Sequence, residues 1–444
     1  MKKKYKPYPK YKDSGVAWLG EVPEGWELER AKNLFSLAKR DVLADDEIVT
    51  AFRDGEVTLR RNRRLDGFTT SIKEIGYQRV CKGDLVIHAM DAFAGAIGVA
   101  DSDGKCSPVY SCCIPNEDIN SVYYGMLLRT MALSGFIESL AKGVRERSTE
   151  FRWKDFAIQV LPTPSYLEQL GIQYFLNQEC GKIDALIAEQ EKLVALLREK
   201  RQAVISHVVT KGLNPNTPMK DSGVEWLGEV PKHWEIVRLS RHAWIRARLG
   251  WKGLKAEEYV EDGYIFLATP NIKDKELDFD NVNYITKERY DESPEIKLSI
   301  GDVLLVKDGS TLGITNIVKY LPKDATVNSS IAVITTFKSL FPNFLMYILK
   351  SIFIISTIEK LKGGMGVPHL FQSDINVFII PFPPLSEQHI IAKHLEQQTS
   401  KIDALINEAN KAVDLLKERR SALISAAVTG KIDIYCFTGN SYVT

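Results

Sequence analysis

Lys12 to Glu27 reads KDSGVAWLGEVPEGWE, and Lys220 to Glu235 reads KDSGVEWLGEVPKHWE, with thirteen of sixteen positions identical. So long a match at a spacing of 208 residues marks a duplicated unit. A second pair shows the same thing. KIDALIAEQEKLVALLREKRQAVIS, from Lys182 to Ser206, returns with changes as KIDALINEANKAVDLLKERRSALIS, from Lys401 to Ser425, at a spacing of 219. Between these markers the copies diverge, although Gly83-Asp84-Leu85-Val86-Ile87 with Gly95 is echoed by Gly301-Asp302-Val303-Leu304-Leu305 with Gly313. One unit is thus a variable domain framed by two constant pieces, and the period is far too long for a stacked solenoid.

The KIDALI segments carry coiled-coil spacing. Ile183, Ile187, Gln190, Val194, Leu197, Arg201, Val204 and Val208 follow alternating steps of four and three. The second copy places Ile402, Ile406, Ala409, Val413, Leu416, Arg420, Leu423 and Ala427 in the same frame. Each predicted helix presents one apolar seam, and two matched seams in one chain are expected to pack on each other as an antiparallel coiled coil. Ser165 with Glu168 predicts the start of a shorter preceding helix, Ser400 with Asp403 the start of the second long one, and Gly212 and Gly430 close them. A helix from Lys182 to Lys211 would run about 45 Å at 1.5 Å per residue.

The variable domains read as mixed. Leu85 to Ile87, Ile97 to Val99, Val303 to Val306 and Ile331 to Ile334 are short apolar runs between Gly-Asp turns, and predict strands. Tyr124 to Leu140 and Asn343 to Leu361 predict helices. The fold class is therefore α+β: two globular domains of sheet and helix separated by two long helices, with an internal pseudo-twofold duplication. The boundaries read as a first variable domain at 1–161, a helical region at 162–212, a second variable domain at 213–380 that opens on a linker at 213–219, a second helical region at 381–430, and a tail at 431–444.

With 444 residues, 45% hydrophobic and 26% charged, the chain can fill two ordinary cores. Lys plus Arg number 58 against 57 for Asp plus Glu, so any DNA binding is local or shared with a partner. The basic, aromatic start is followed by no apolar run of signal length, and Phe341 to Ile358 is broken by Pro342, Asn343 and Lys350. These features, and six cysteines without a CxxC pair, predict a protein of the reducing cytoplasm with no membrane span.

This layout resembles the specificity subunits of Type I restriction-modification systems. The resemblance covers nearly the whole chain and rests on DSGVxWLGEVPxxWE at the start of each half, GDVLLVKDGSTLG at Gly301 to Gly313, GVPHLFQSDINVFIIPFPPLSEQ at Gly366 to Gln388, and the KIDALI helices. The first half departs from it, with His88-Ala89-Met90-Asp91 in place of the polar turn at Val306 to Ser310, and Pro162-Thr163-Pro164-Ser165 where Pro381-Phe382-Pro383-Pro384 stands. The resemblance implies a non-catalytic subunit whose variable domains are target-recognition domains, each reading half of a split double-stranded DNA target. It implies that the helices space these domains and dock two methyltransferase subunits, and through them restriction and translocase subunits. S-adenosylmethionine, ATP and magnesium would belong to those partners. A rod of about 45 Å suits half-sites a little over one DNA turn, about 34 to 36 Å, apart.

Base reading needs Arg, Lys, Asn, Gln, Ser or Thr at groove edges, and phosphate clamping needs clustered cations. The densest cluster is Arg60, Arg61, Arg63 and Arg64, with Arg53 nearby; Arg145 and Arg147 flank a predicted helix end. In the second domain Arg241, Arg246, Arg248, Lys252 and Lys255 surround Trp244 and Trp251, and Lys307, Ser310 and Thr311 add a polar turn. The bland alternative for each run is a solvated face. The Trp18-Leu19-Gly20 and Trp226-Leu227-Gly228 segments read as apolar anchors pinned by Pro23 and Pro231.

The chain holds no GK[ST] phosphate loop and no GxGxxG opening a helix. Asn214-Pro215-Asn216-Thr217-Pro218 lacks the adjacent prolines and aromatic of an adenine methyltransferase motif, and His389 and His394 do not form HExxH. Glu295-Ile296-Lys297 and Asp103-Gly104-Lys105 fit a nuclease's acid-x-Lys, a pattern that chance supplies in a chain this charged. Two rival readings stay open at this point: a metal-dependent nuclease using Glu295 and Lys297, and a coiled-coil adaptor that binds no DNA.

Overall fold

The computed structural model describes residues 5–63, 75–140, 150–248, 254, 256–361 and 369–435. The chain divides into two compact units, one made of Met1–Gln190 with Lys411–Thr444 and the other of Glu191–Asn410. Both long helices are shared. The first unit holds the N-terminal part of the helix Tyr166–Lys211 and the C-terminal part of the helix Leu385–Val428, and the second unit holds the remainders.

Each helix is longer than the KIDALI segment, 46 and 44 residues respectively. This corrects two sequence expectations. Ser165 does cap, its Oγ accepting from the Glu168 amide at 3.3 Å, but it opens the long helix itself rather than a shorter one ahead of it. Ser400 lies mid-helix and starts nothing, because the amides that a cap would satisfy are already bonded within the helix, and Asp403 pairs instead with Arg201 of the other long helix at 2.9 Å. The apolar stripe continues upstream through Ile172, Phe175, Leu176 and Cys180 in one copy and Ile391, Ala392 and Leu395 in the other, so nothing ends the helix there. Among the predicted seam residues, Ile183, Val194, Leu197, Ile402, Val413 and Leu423 are buried, and Ile187, Val204, Ile406 and Leu416 are half-buried. Within the first unit Ile183 and Ile187 share a core with Leu416, Leu423, Ala427 and Val428. Within the second, Val204, Ile205 and Val208 share one with Ile391 and Leu395. In each unit a late stretch of one helix meets an early stretch of the other, which is antiparallel packing.

The two variable domains share a four-stranded antiparallel sheet. In the first it is built from β1 (Phe35–Leu37), β2 (Leu85–His88), β3 (Ile97–Val99) and β4 (Tyr110–Pro115), in the order β1-β4-β2-β3. In the second, β5 (Ala243–Arg246), β6 (Val303–Val306), β7 (Thr315–Ile317) and β8 (Ile331–Thr336) take the same order, β5-β8-β6-β7. β2 and β6 are apolar on both faces because helices cover one side and a smaller core the other. Each follows a Gly-Asp turn whose glycine, Gly83 or Gly301, has a φ of 94° or 95°, which a β-carbon disfavours. The expected helices at 124–140 and 343–361 are each broken in two, at Ser121–Leu133 with Phe136–Ser139 and at Pro342–Leu349 with Ile352–Leu361. A strand just after each repeat tryptophan closes the domain against the strand entering the long helix: Glu27–Arg30 pairs with Val160–Thr163, and Glu235–Arg238 with Ile379–Phe382. Trp18 packs on Phe136 and Trp226 on Phe353, so these segments anchor their own domains.

Candidate nucleic-acid interface

In the first unit the arginine cluster sits on and after the hairpin of Val49–Ala51 and Val57–Leu59. Every described arginine there has an acceptor. Arg53 meets Asp91 at 2.8 Å, Arg61 meets Glu47 at 2.6 Å, and Arg63 meets Asp54 at 2.6 Å and Glu56 at 2.9 Å while covering the Phe52 ring. Arg60 is half-buried and donates Nε to Thr50 at 3.1 Å. The cluster is therefore charge-balanced rather than a bare cationic face. Because exposed ion pairs contribute only about 0 to 1 kcal/mol each, phosphates can displace the carboxylates at little cost, and Arg53, Arg61 and Arg63 remain able to exchange partners. His88 and Asp91 sit beside them: the Asp91 amide donates to His88 Nδ1 at 3.0 Å, and burial holds the His88 pKa below its usual value against the pull of Asp91. Arg64, Arg145 and Arg147 lie outside the described residues.

In the second unit the expectation for Arg246 is overturned. Its side chain is 7% exposed, and Nη2 donates to Asp302 at 2.7 Å and to Thr335 at 2.6 Å, while Nη1 donates to the carbonyls of Glu295 and Lys297. A guanidinium so enclosed reads no base; it ties β5 to the turn before β6. Lys307 is likewise buried along its stem, with its ammonium 3.7 Å from Asp308. Arg248 is half-buried, and burial first and then the neighbouring Arg289 depress its pKa. Ser310 is exposed and Thr311 half-exposed beside the hydrogen-bonded contact of Asp308 with the His369 ring. Trp244 is 54% exposed on β5, its ring under the Arg246 guanidinium. Lys252 lies outside the described residues. Of the acid-x-Lys residues, Lys297 donates to Asp291 and lies over Tyr290, and among the described residues no three His, Cys, Asp or Glu converge on a metal position.

Sequence reasoning missed a set of polar anchors that occur twice. Arg40 pairs with Asp84 at 2.5 Å as Arg246 does with Asp302. Glu168 accepts from Trp26 Nε1 at 2.9 Å and from Tyr8 at 2.6 Å, and Glu387 accepts from Trp234 Nε1 at 3.1 Å and contacts His233 at 2.8 Å. Gln169 and Gln388 each donate to a carbonyl five residues back and accept a backbone amide of their own domain. Arg420 pairs with Asp184 in the first unit and Arg201 with Asp403 in the second. The signal was present in the repeat for Trp26 and Trp234, Glu168 and Glu387, Gln169 and Gln388, and the Asp184–Arg420 and Asp403–Arg201 pairs, which occupy matching positions of the two copies, whereas Arg40 lies two residues beyond the register position of Arg246.

Residues 231–414 match the family described as Type I restriction modification DNA specificity domain. The chain is 24% identical to the putative type I restriction enzyme MjaX specificity subunit of Methanocaldococcus jannaschii, covering 94% of this chain and 96% of that one. It is 23% identical to the MjaVIII specificity subunit of the same organism, over 93% and 94% of the two chains. A solved chain from work on complex assembly and conformational transition of the type I R-M system has the same fold, with a TM-score of 0.70 at 16% identity over 93% of this chain and 99% of that one. The HsdS subunit from Thermoanaerobacter tengcongensis gives 0.52 at 17% identity, over 93% and 98%. No helix among the described residues is long and apolar enough to cross a membrane.

Proposed function

We infer that this chain, whose residues 231–414 match the Type I specificity domain and which aligns over 94% and 93% of its length with two Type I specificity subunits, is the sequence-reading component of a Type I restriction-modification complex. The observation that carries the reading is the repetition of one sheet order on two surfaces of different chemistry: arginines on a hairpin in the first domain, and a serine-threonine turn with an exposed tryptophan in the second. Two copies of one fold with unlike surfaces suit two half-sites of unlike sequence on double-stranded DNA. The domains read; the chain itself neither methylates nor cleaves.

Chemistry then belongs to partners: two methyltransferase subunits that use S-adenosylmethionine, and through them an ATP- and magnesium-dependent translocase and nuclease. Two partner copies are supported by leucines that stay exposed at matching helix positions. Leu186 and Leu405 are 51% and 50% exposed, and Leu196 and Leu415 are 53% and 65% exposed. Apolar residues left open off the packed seam at equivalent places suit two equivalent docking faces.

The test is co-expression with the methyltransferase subunit and methylome sequencing of the host. A split, asymmetric methylated motif that disappears when this chain is withheld is the expected result. Methyl transfer by the purified chain alone, or a motif unchanged when the variable domains are exchanged for those of another chain, would refute it.

A further inference from the structure

The duplication allows each unit to serve as a control for the other, and one arrangement of cations differs between them. In the second unit Lys350, at the end of the helix Pro342–Leu349, faces Arg201 of the first long helix. Two like charges are held there by a carboxylate: Asp274 bonds Lys350 at 2.9 Å and Arg201 at 3.3 Å, and Arg201 also meets Asp403 at 2.9 Å. The first unit repeats the cations. Arg129 stands at the position of Lys350 in the matching helix Ser121–Leu133, Arg420 at that of Arg201, and Asp184 at that of Asp403, where it accepts from Arg420 Nε at 2.7 Å.

The bridging carboxylate is not repeated. Asp54-Gly55-Glu56-Val57 corresponds to Asp274-Lys275-Glu276-Leu277, but Asp54 bonds Arg63 at 2.6 Å instead of spanning the two arginines. Among the described residues Arg129 donates to the Arg53 carbonyl alone, at 3.5 Å, and its buried Nε meets no acceptor. Burial lowers the Arg129 pKa, opposed first by the Asp54 carboxylate, and Arg420 lowers it further. Between the helix Ser121–Leu133 and the second long helix lies a cavity of about 320 Å³ whose wall sets Arg129, Arg420, Ser421 and Ser425 beside the apolar Met126, Leu133 and Ile424 and carries, among the described residues, no carboxylate. Gly55, at φ +90°, keeps the turn clear for the Arg129 side chain, which a β-carbon would meet at 2.4 Å.

We propose that Arg129 and Arg420 form a phosphate-binding site in the first unit, the bound phosphate taking the bridging place that Asp274 fills in the second. The two guanidinium groups supply the forked donors that a phosphate accepts, with the Ser421 and Ser425 hydroxyls beside them; Thr130 and Ser134 already donate to the Met126 and Met131 carbonyls. A backbone phosphate of bound DNA is the favoured source, because the site adjoins the Arg53 and Arg63 hairpin; this part rests on the DNA-recognition reading. Free phosphate is the other source of the same chemistry.

The experiment uses the complex assembled with its methyltransferase subunits and three variants: Arg129→Gln, Arg420→Gln and Asp184→Asn. Duplex affinity is measured from 50 to 200 mM salt. Removing one phosphate interaction lowers the log–log salt slope by about 0.9, so either arginine variant should lose about 3.5-fold less affinity across that fourfold range than the parent complex. The losses should be the same on specific and unrelated duplexes. A second arm follows thermal unfolding with added inorganic phosphate at constant ionic strength: stabilisation of the parent but of neither arginine variant assigns the site to free phosphate when the DNA slope is unchanged. Asp184→Asn breaks the same interhelix ion pair as Arg420→Gln, so a phosphate or DNA response that it retains separates binding from a merely loosened fold. Unchanged salt slopes together with no phosphate response would overturn the proposal, as would stabilisation only by an acidic peptide. A complex that binds no duplex at all, yet keeps the phosphate response, refutes DNA recognition and leaves this site standing.

Discussion

Replacing Arg246 by Met separates a buried tie from a DNA contact. The guanidinium makes four hydrogen bonds, two of them to the carbonyls of Glu295 and Lys297 and two to Asp302 and Thr335. Asp302 is 1% exposed, so the substitution strands a carboxylate in the interior with only the Ser299 amide and the Thr335 hydroxyl left to it. Breaking a buried pair from one side costs about 3 to 5 kcal/mol. At about 2 to 4 °C per kcal/mol for a unit of this size, the transition of residues 191–410 should fall by roughly 6 to 20 °C. Adding Asp302→Leu should restore part of the loss, because removing both charges is far less damaging than removing one. Differential scanning calorimetry, with each unit's transition followed by its tryptophans, gives the numbers. A variant that melts within 1 kcal/mol of the parent but loses DNA affinity would refute the burial argument and return Arg246 to the DNA face.

The opposite pattern is expected at the hairpin: Arg61→Ala with Arg63→Ala breaks only exposed pairs, so stability should move by about 1 kcal/mol or less, while the DNA salt slope of the assembled complex falls by about one for each phosphate no longer held. Leu186→Glu with Leu405→Glu should leave the melting profile unchanged and abolish co-purification with the methyltransferase subunit; retained assembly would place docking elsewhere. His88 supplies a pH dependence, since its folded pKa lies below the unfolded value of about 6.5. Between the two values the unfolded chain holds more protons, so the first unit gains stability as pH rises through that window and loses it as pH falls from about 6.5 toward the folded pKa. His88→Asn should flatten that slope in urea titrations run from pH 5 to 7.5, and an unchanged slope would assign it to another group.

The sequence by itself determined the duplication, the α+β class, the strands that follow the Gly-Asp turns and the seam positions of both long helices. These are written as local periodicities and close repeats, and a step of three and four needs no partner in order to be recognised. Helix continuity was not legible, because a Ser with an acid three residues on has the same letters at a true start, Ser165, as inside a helix, Ser400. What distinguishes them is the packing upstream: Ile391, Ala392 and Leu395 are buried ahead of Ser400 and carry the helix through it, whereas Ser165 follows the strand Val160–Thr163. Arg246 and Trp244 show the same limit more sharply. On β5 the charged residue is inside and the large aromatic is outside, against the ordinary preference of both. That inversion is stable because the turn before β6 brings Asp302, and β8 brings Thr335, to one guanidinium across 56 and 89 residues of chain. A buried charge is set by the groups that surround it in space, and their assembly was decided by the tertiary structure alone.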